Sequence, residues 1–177
     1  MTRPQVDLQS ERLRLVAMTR EMCVAVARGE WPSQGTGSGR SPRTPSELVR
    51  DAGTGVLRHD GRDGSPAWTG WLIFDRSWPE PHGVVVLMDE VKRGGIVEIG
   101  WALERDAEGH GYASEAVGAI SMWACQHRGV ALITAHIRID NPASSVVAQR
   151  VGFVCAGRTR DREGETVDRW EFTTSPK

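Results

Sequence analysis

Residues 98 to 153 contain four short motifs in this order: Glu98-Ile-Gly-Trp, Glu108-Gly-His-Gly-Tyr-Ala-Ser-Glu-Ala, Asp140-Asn-Pro-Ala-Ser and Val151-Gly-Phe. They place a glycine-bearing turn between an apolar strand and an amphipathic helix, with a second strand and a capped helix behind it. A turn of this kind can hold an anion on backbone N–H groups at the helix N-terminus. The series therefore predicts a protein that binds a molecule carrying a pyrophosphate group.

Apolar periodicity predicts the elements around these motifs. The first are a strand from Glu11 to Val16, a helix that Thr19 caps and that reaches Gly29, and a helix from Thr44 to about Arg58. The next three are strands, Ala67 to Asp75, Gly83 to Met88 and Ile96 to Leu103, with a turn at Gly94-Gly95. The last are a long helix from Ala113, a strand from Ala131 to Ile139, a helix from Pro142 to Val151, and a hairpin of Val154 to Arg158 with Thr166 to Thr173.

This order of elements predicts the fold class. Antiparallel strands followed by one strand–helix–strand crossover give a mixed sheet in an α+β or α/β sandwich. A chain of 177 residues is long enough to bury a core without metal or disulfide support. We therefore expect a single domain over residues 1 to 177.

Composition narrows the classes of partner and site. The net charge of −1 and the pI near 6.5 argue against nucleic acid or an anionic membrane as a partner. The three cysteines have neither a disulfide framework nor the spacing of zinc ligands, so no metal site is expected. The sequence has no apolar stretch long enough to span a bilayer and no signal segment at its start. These features predict a soluble, cytoplasmic protein.

Two features of the first half of the chain are compatible with a role at a ligand. Residues 31 to 43 are rich in Gly, Ser and Pro, which favours a flexible surface loop, with a mobile substrate lid as the alternative. Of the seven tryptophans, most are expected to fill the core. Trp31 and Trp78 stand beside prolines, and for these two we predict a ligand-facing position.

The ordered motifs resemble those of the GNAT acetyltransferase superfamily, in the branch of the RimJ/RimL-type ribosomal-protein N-terminal acetyltransferases. The residues that carry the resemblance are Glu11-Arg-Leu-Arg-Leu, Val97-Glu-Ile-Gly-Trp, Gly109-His-Gly-Tyr-Ala-Ser-Glu-Ala, Asp140-Asn-Pro-Ala-Ser and Val151-Gly-Phe. The resemblance implies a GNAT-like, mostly antiparallel mixed sheet flanked by helices. It also implies an acyl-CoA donor, acetyl-CoA, whose pantetheine arm lies between two splayed strands.

The resemblance also assigns residues to the donor. The pyrophosphate is expected on the amides of Gly109, His110, Gly111, Tyr112 and Ala113. The arm and thioester are expected beside Trp101, Ala102 and Leu103, with the backbone around Trp101 and Ala102 as oxyanion donor, and beside Asn141 and Ser144. The chain departs from the family pattern at Asp106, where Gln or Arg is usual, and at Glu108, where a basic residue is common. These acids are expected to weaken pyrophosphate binding unless nearby arginines offset them.

Glu98 is the candidate for the base that takes the proton of the attacking amine. Strand alternation places it on the face opposite the larger apolar side chains of Ile99, Trp101 and Leu103. A surface acid is the alternative role for Glu98, while water and His136 remain rival bases. Asn141 is expected to cap the following helix in either case. Ser144 is the candidate proton donor to the thiolate, because Ala148 stands where many relatives have a tyrosine.

The resulting hypothesis is transfer of an acetyl group to a primary amine by direct attack in a ternary complex. The acceptor stays open between a protein N-terminal amine and a small-molecule amine. The alternatives are a non-catalytic acyl-CoA-binding module, a transferase for a longer donor such as succinyl-CoA, and an interaction scaffold without a cofactor. A homodimer is compatible with such a fold.

Overall fold

The computed structural model describes residues 6–32, 43–58, 70–92, 94–126, 130–161 and 163–174. Its strands are β1 (Leu8–Gln9), β2 (Leu13–Ala17), β3 (Gly70–Asp75), β4 (Pro81–Lys92), β5 (Ile96–Leu103), β6 (Leu132–Arg138), β7 (Val154–Arg160) and β8 (Thr166–Phe172). Its helices are α1 (Arg20–Ala27), α2 (Glu47–Arg58), α3 (Tyr112–Gln126) and α4 (Pro142–Val151), with a single 3-10 turn at Arg105–Ala107.

Within the described residues, the strands form one sheet in the order β1-β2-β3-β4-β5-β6-β8-β7. Neighbouring strands are antiparallel except for β5 and β6, which run parallel. The parallel pair is short, because Ile96 to Glu98 face Leu132 to Thr134 and no later residues are paired. Both strands continue past this point, so they part and leave a gap in the sheet. The expected mixed, mostly antiparallel sheet with splayed strands is confirmed.

Two apolar cores lie on opposite faces of this sheet. The first contains Ile99 of β5 together with Val117 and Ile120 of α3. The second contains Val26 of α1 and Val49 of α2, packed with alternate residues of β2 to β5. Because side chains of a strand alternate between faces, β5 contributes to both cores. The C-terminal end of β5 is therefore packed on both faces, while its edge toward β6 stays open.

The observed bounds test the expected elements. The predictions for β5 and α4 match the observed bounds, and β4 is longer than expected. Helix α2 begins at Glu47, just after the predicted start. The short strand β1 was not predicted. Residues 67–69, the start of the expected third strand, lie outside the described part of the chain, and so do residues 33–42 of the expected loop or lid.

Among the described tryptophans, most belong to the apolar cores as expected. The Trp71 indole packs edge-on against Trp123 of α3, with ring centroids 5.2 Å apart. Trp31 is 4% exposed and belongs to the second core, so its predicted ligand-facing position is wrong. The indole turns inward although a proline follows it, because it is large and apolar. Trp78 is 54% exposed.

None of the helices in the described ranges is both long enough and apolar enough to cross a membrane. In the same ranges, no group of three or more His, Cys, Asp or Glu side chains is arranged to hold a metal ion.

Candidate functional site

A cleft of about 370 Å³ lies between the free end of β5, the first turn of α3 and helix α4. Eight residues expected at the donor line it together: Trp101, Ala102, Leu103, Gly109, Gly111, Ala113, Asn141 and Ser144. The side chain of Leu48 from α2 and those of Val146 and Val147 from α4 add apolar wall. The lining does not include Glu98, His110 or Tyr112.

The turn before α3 has the backbone geometry of an anion site. Gly109 and Gly111 have φ angles of +79° and +80°, a region that favours glycine. The amide of Glu115 bonds to the carbonyl of Gly111 at 3.1 Å and closes the first turn of the helix. The amides before it have no carbonyl partner within the helix and are available to a ligand. The turn of residues 109–113, named here the anion turn, therefore fits a phosphate group.

A serine that sequence analysis did not single out strengthens this fit. Ser114 lines the cleft one residue after the anion turn. Its Oγ atom is buried and has no hydrogen-bond partner among the described residues. A buried hydroxyl without a partner costs free energy unless a ligand or water completes it. Its place in the first helical turn was the signal that could have identified it.

Asp106, one of the two acids expected to repel an anion, is paired. Its Oδ2 atom lies 2.5 Å from Nη2 of Arg43, which also contacts Glu80 at 3.4 Å. The hydrogen bond from Arg43 lowers the pKa of Asp106 and keeps it ionised. The opposing charges largely cancel at short range, so Asp106 adds little net repulsion. The positive charge that compensates Asp106 comes from Arg43, which is distant in sequence.

Glu108, the other acid expected to repel an anion, lies in the cleft itself. It is exposed and lines the cleft. Arg150 of α4, which sequence analysis also missed, lines the same cleft and brings a positive charge to it. Arg150 lies four residues after Val146, which also lines the cleft, and this i, i+4 spacing on one helix face could have indicated its position.

The side chains of His110 and Tyr112 point away from the cleft. The Tyr112 hydroxyl donates to Oδ2 of Asp75 at 2.8 Å, and the His110 ring stacks on the Tyr112 ring at 5.6 Å. Hydrogen bonds from Ser77 and then from Tyr112 lower the pKa of Asp75 to about 2. The ring of His82 packs on Tyr112 at 5.2 Å, and burial lowers the pKa of His82. At the anion turn, His110 and Tyr112 can therefore offer only their main chains.

Glu98 and His136, which sequence analysis treated as rival bases, are in contact. The Glu98 Oε1 atom lies 2.8 Å from Nδ1 of His136. Glu98 is the last residue of β5 that pairs with β6, and His136 lies two residues past Thr134, the last residue of β6 that pairs with β5. Their side chains are 16% and 25% exposed. Arg169 of β8 is paired with His136 in the sheet and contacts Glu171 at 2.9 Å. The structure thus brings a carboxylate and an imidazole together on the face opposite α3 and α4.

Asn141 caps α4 as expected. Its Oδ1 atom accepts a hydrogen bond from the amide of Ser144 at 3.1 Å, and Pro142 follows it at the first helical position. Asn141 lines the cleft, and in the described ranges its side chain uses only Oδ1 for the cap, so Nδ2 has no hydrogen-bond partner there. Capping and a role at a ligand are therefore compatible, because they use different atoms.

Comparisons with known proteins agree with this architecture. The family described as acetyltransferase (GNAT) domain matches residues 12–154. YjdG, an uncharacterized N-acetyltransferase of Bacillus subtilis (strain 168), is 27% identical over 92 residues, which are 52% of this chain and 55% of that protein. The chain thus matches about half the length of this curated relative.

Two solved structures have the same fold. One is RimL, the ribosomal L7/L12 alpha-N-protein acetyltransferase, in complex with coenzyme A, with a TM-score of 0.67 and 18% identity over 95% of this chain and 98% of that chain. The other is a variant of the spermidine N-acetyltransferase SpeG from Vibrio cholerae, with a TM-score of 0.64 and 15% identity over 93% and 95%.

The contacts of Asp75 predict how stability depends on pH. Its pKa in the folded protein is about 2, below the ordinary 3.8. Its contribution is therefore fully present above pH 4 and is lost as the pH falls through about 2. We expect the free energy of unfolding to fall less between pH 5 and pH 3 in Asp75→Asn than in the native protein.

Urea unfolding at the two pH values measures this difference. Glu163→Gln, at an exposed residue of the β7–β8 turn, serves as the control and should keep the native pH dependence. An equal loss in the native protein and in Asp75→Asn would contradict the assignment.

Proposed function

The chain belongs to the GNAT acetyltransferase family, and we propose that it transfers an acetyl group from acetyl-CoA to a primary amine in a ternary complex. The observation that carries the proposal is the cleft that joins the anion turn to the open edge of β5. One end of this cleft suits a pyrophosphate and the other suits an extended arm with amide groups. Acetyl-CoA has both parts and supplies an activated thioester carbonyl.

The donor is proposed to bind through main-chain groups and apolar walls. The amides of Gly109 to Ala113 hold the pyrophosphate, and the buried Ser114 hydroxyl can complete its hydrogen bonds there. The pantetheine arm lies along Trp101 to Leu103 as an added strand would. Leu48 and Val146 are exposed apolar residues at the cleft and cover the arm. The Nδ2 group of Asn141 donates a hydrogen bond to a carbonyl of the pantetheine arm.

The direction of the β5 amides supports one of the two expected oxyanion donors. The amide of Glu104 bonds to His82 of β4 at 2.8 Å, and the Ala102 carbonyl also points at β4, toward Gly83. Alternate residues of a strand direct their amides to opposite sides. The amide of Trp101 therefore points into the gap beside β6. Of the two expected residues, we assign the oxyanion bond to Trp101.

Proton transfer is proposed to use Glu98 with His136. A terminal α-amine with a pKa near 8 loses only about 1 kcal/mol by being protonated at neutral pH, whereas a lysine amine loses roughly 4–5 kcal/mol. A carboxylate acting directly or through water is a sufficient base for the α-amine. His136, at 2.8 Å from Glu98, holds the carboxylate in place. Ser144 at the cleft wall gives its hydroxyl proton to the leaving thiolate and regains a proton from solvent.

The acceptor is proposed to approach from the face that carries Glu98. The carboxylates of Glu98 and Glu171 favour a cationic amine there, and Arg169 adds a group that can bind a carbonyl or carboxylate. This mixed polar surface suits a peptide N-terminus or a small polyamine. The fold is shared by RimL, named for a protein α-amine, and by SpeG, named for spermidine.

Release of free CoA with a panel of amines tests the function. The panel contains peptides with different N-terminal residues, spermidine and free lysine, each with acetyl-CoA and with succinyl-CoA. We expect turnover with acetyl-CoA and at least one α-amine or polyamine. Binding without turnover for every amine would favour an acyl-CoA-binding module. A melting temperature that acetyl-CoA does not raise would contradict the proposal.

Glu98→Gln tests the base. Removing the carboxylate should lower turnover roughly a hundredfold while the Kd for acetyl-CoA stays unchanged, because Glu98 lies outside the donor cleft. Steady-state rates and calorimetric titration measure the two quantities. Glu165→Gln, at an exposed residue, is the matched control. Native turnover in Glu98→Gln would remove this residue from the mechanism.

Glu108→Gln tests the exposed acid that lines the cleft. Losing this negative charge should tighten CoA binding by roughly twofold to fivefold, the scale of an exposed charge pair. The gain should shrink as salt is added, because salt screens exposed charges. Titration at 20 and 500 mM salt measures both effects, with Glu163→Gln as the distant control. The same Kd as the native protein at both salt concentrations would show that Glu108 does not face the phosphates.

A further inference from the structure

We propose that Arg12 is a positioning residue for the donor: it holds the peptide group between His110 and Gly111 so that the Gly111 amide faces the pyrophosphate. The inference rests on the proposed function, and it concerns a residue that lies about a hundred positions before the anion turn.

Arg12 contacts the anion turn on the side that faces away from the cleft. Nη1 of Arg12 donates to the carbonyl oxygen of His110 at 3.0 Å. In a trans peptide, the carbonyl and the following N–H point in opposite directions. The N–H that follows this carbonyl belongs to Gly111, which lines the cleft, whereas Arg12 is not among the lining residues. Holding the carbonyl therefore sets the direction of the donor that the phosphate would meet.

The guanidinium leaves little freedom at this point. A Cβ atom placed on Gly111 would lie 3.3 Å from Nη2 of Arg12, so the group sits directly against the turn. It also lies over the ring of Tyr112, 5.2 Å from the ring centroid. Tyr112 is itself bonded to Asp75. The anion turn is thus held from behind by a cation and an aromatic ring, and its front is left to the cleft.

A carboxylate of α3 fixes Arg12 in this position. Glu115 Oε2 accepts from Nε of Arg12 at 2.7 Å, and Glu115 Oε1 accepts from the Arg12 amide and from Oγ of Ser10, both at 2.7 Å. Burial raises the pKa of Glu115, but the hydrogen bonds from Ser10 and Arg12 outweigh it and the pKa is lowered. The same contact raises the pKa of Arg12. The pair stays ionised across the physiological range.

The arrangement has two consequences for an anion. The positive charge of Arg12 polarises the His110–Gly111 peptide and makes its N–H a better donor. It also cancels the charge of Glu115, which would otherwise repel a phosphate from the first turn of the helix. Arg is required because its planar fork can reach Glu115 and the His110 carbonyl together, which a lysine cannot do.

Two ligands separate this role from a general loss of structure. Coenzyme A carries the pyrophosphate, whereas pantetheine has the arm without it. For Arg12→Gln, we expect the Kd for coenzyme A to rise about tenfold, the scale of one lost charge-assisted hydrogen bond. The Kd for pantetheine should change less than about twofold. Arg12→Lys should give an intermediate loss for coenzyme A.

Arg14→Gln is the matched control, because Arg14 lies two residues on and its guanidinium packs over Phe74 instead. It should leave both dissociation constants unchanged. An equal loss of affinity for the two ligands in Arg12→Gln, or no loss for either, would overturn the inference. The proposed function would still stand in that case, provided that the native protein bound coenzyme A. If the native protein bound pantetheine and coenzyme A with equal affinity, or neither of them, the inference and the proposed donor site would fail together.

Discussion

The separation of β5 from β6 is the constraint on which the rest of the site depends. Past Glu98 and Thr134 the two strands are no longer paired, so one edge of β5 presents main-chain groups without a partner in the sheet. Such groups are costly unless water, or another chain of amides, completes their hydrogen bonds. The two cores hold β5 from both faces, which keeps this edge open and fixed in direction. The anion turn follows directly, so edge and turn form one continuous surface.

Two of the arginines that balance charge at this surface come from the N-terminal half of the chain. Asp106 and Glu115 flank the anion turn in sequence, and each is paired with an arginine from far upstream, Arg43 and Arg12. The contacts explain how a turn with several acids can still be suited to an anion. They also give a structural reason for the Glu11-Arg-Leu-Arg-Leu motif: Leu13 and Leu15 fill the first core, while the arginine between Glu11 and Leu13 reaches the turn.

Much of the fold and of the cleft could be predicted from the sequence, because the signals are local. Alternation marks β5, and the Asn141 cap with Pro142 marks the start of α4. The glycines of the anion turn are predicted from residue type alone. The pairing of Arg12 with Glu115, and of Glu98 with His136, depends on which strands become neighbours, and no local pattern encodes it. Trp31 was misplaced for the same reason: its proline neighbour indicates a loop, whereas its burial is decided by α1 and α2.

The two groups of charged contacts stand on separate parts of the sheet. The anchors of the anion turn come from residues beside β2 and β3, while Glu98, His136 and Arg169 occupy β5, β6 and β8. If the proposed roles hold, selection can alter one group without disturbing the other. Evolution can then change the amine that is accepted while the pyrophosphate site of the donor is inherited unchanged, which is one way in which a single architecture diversifies.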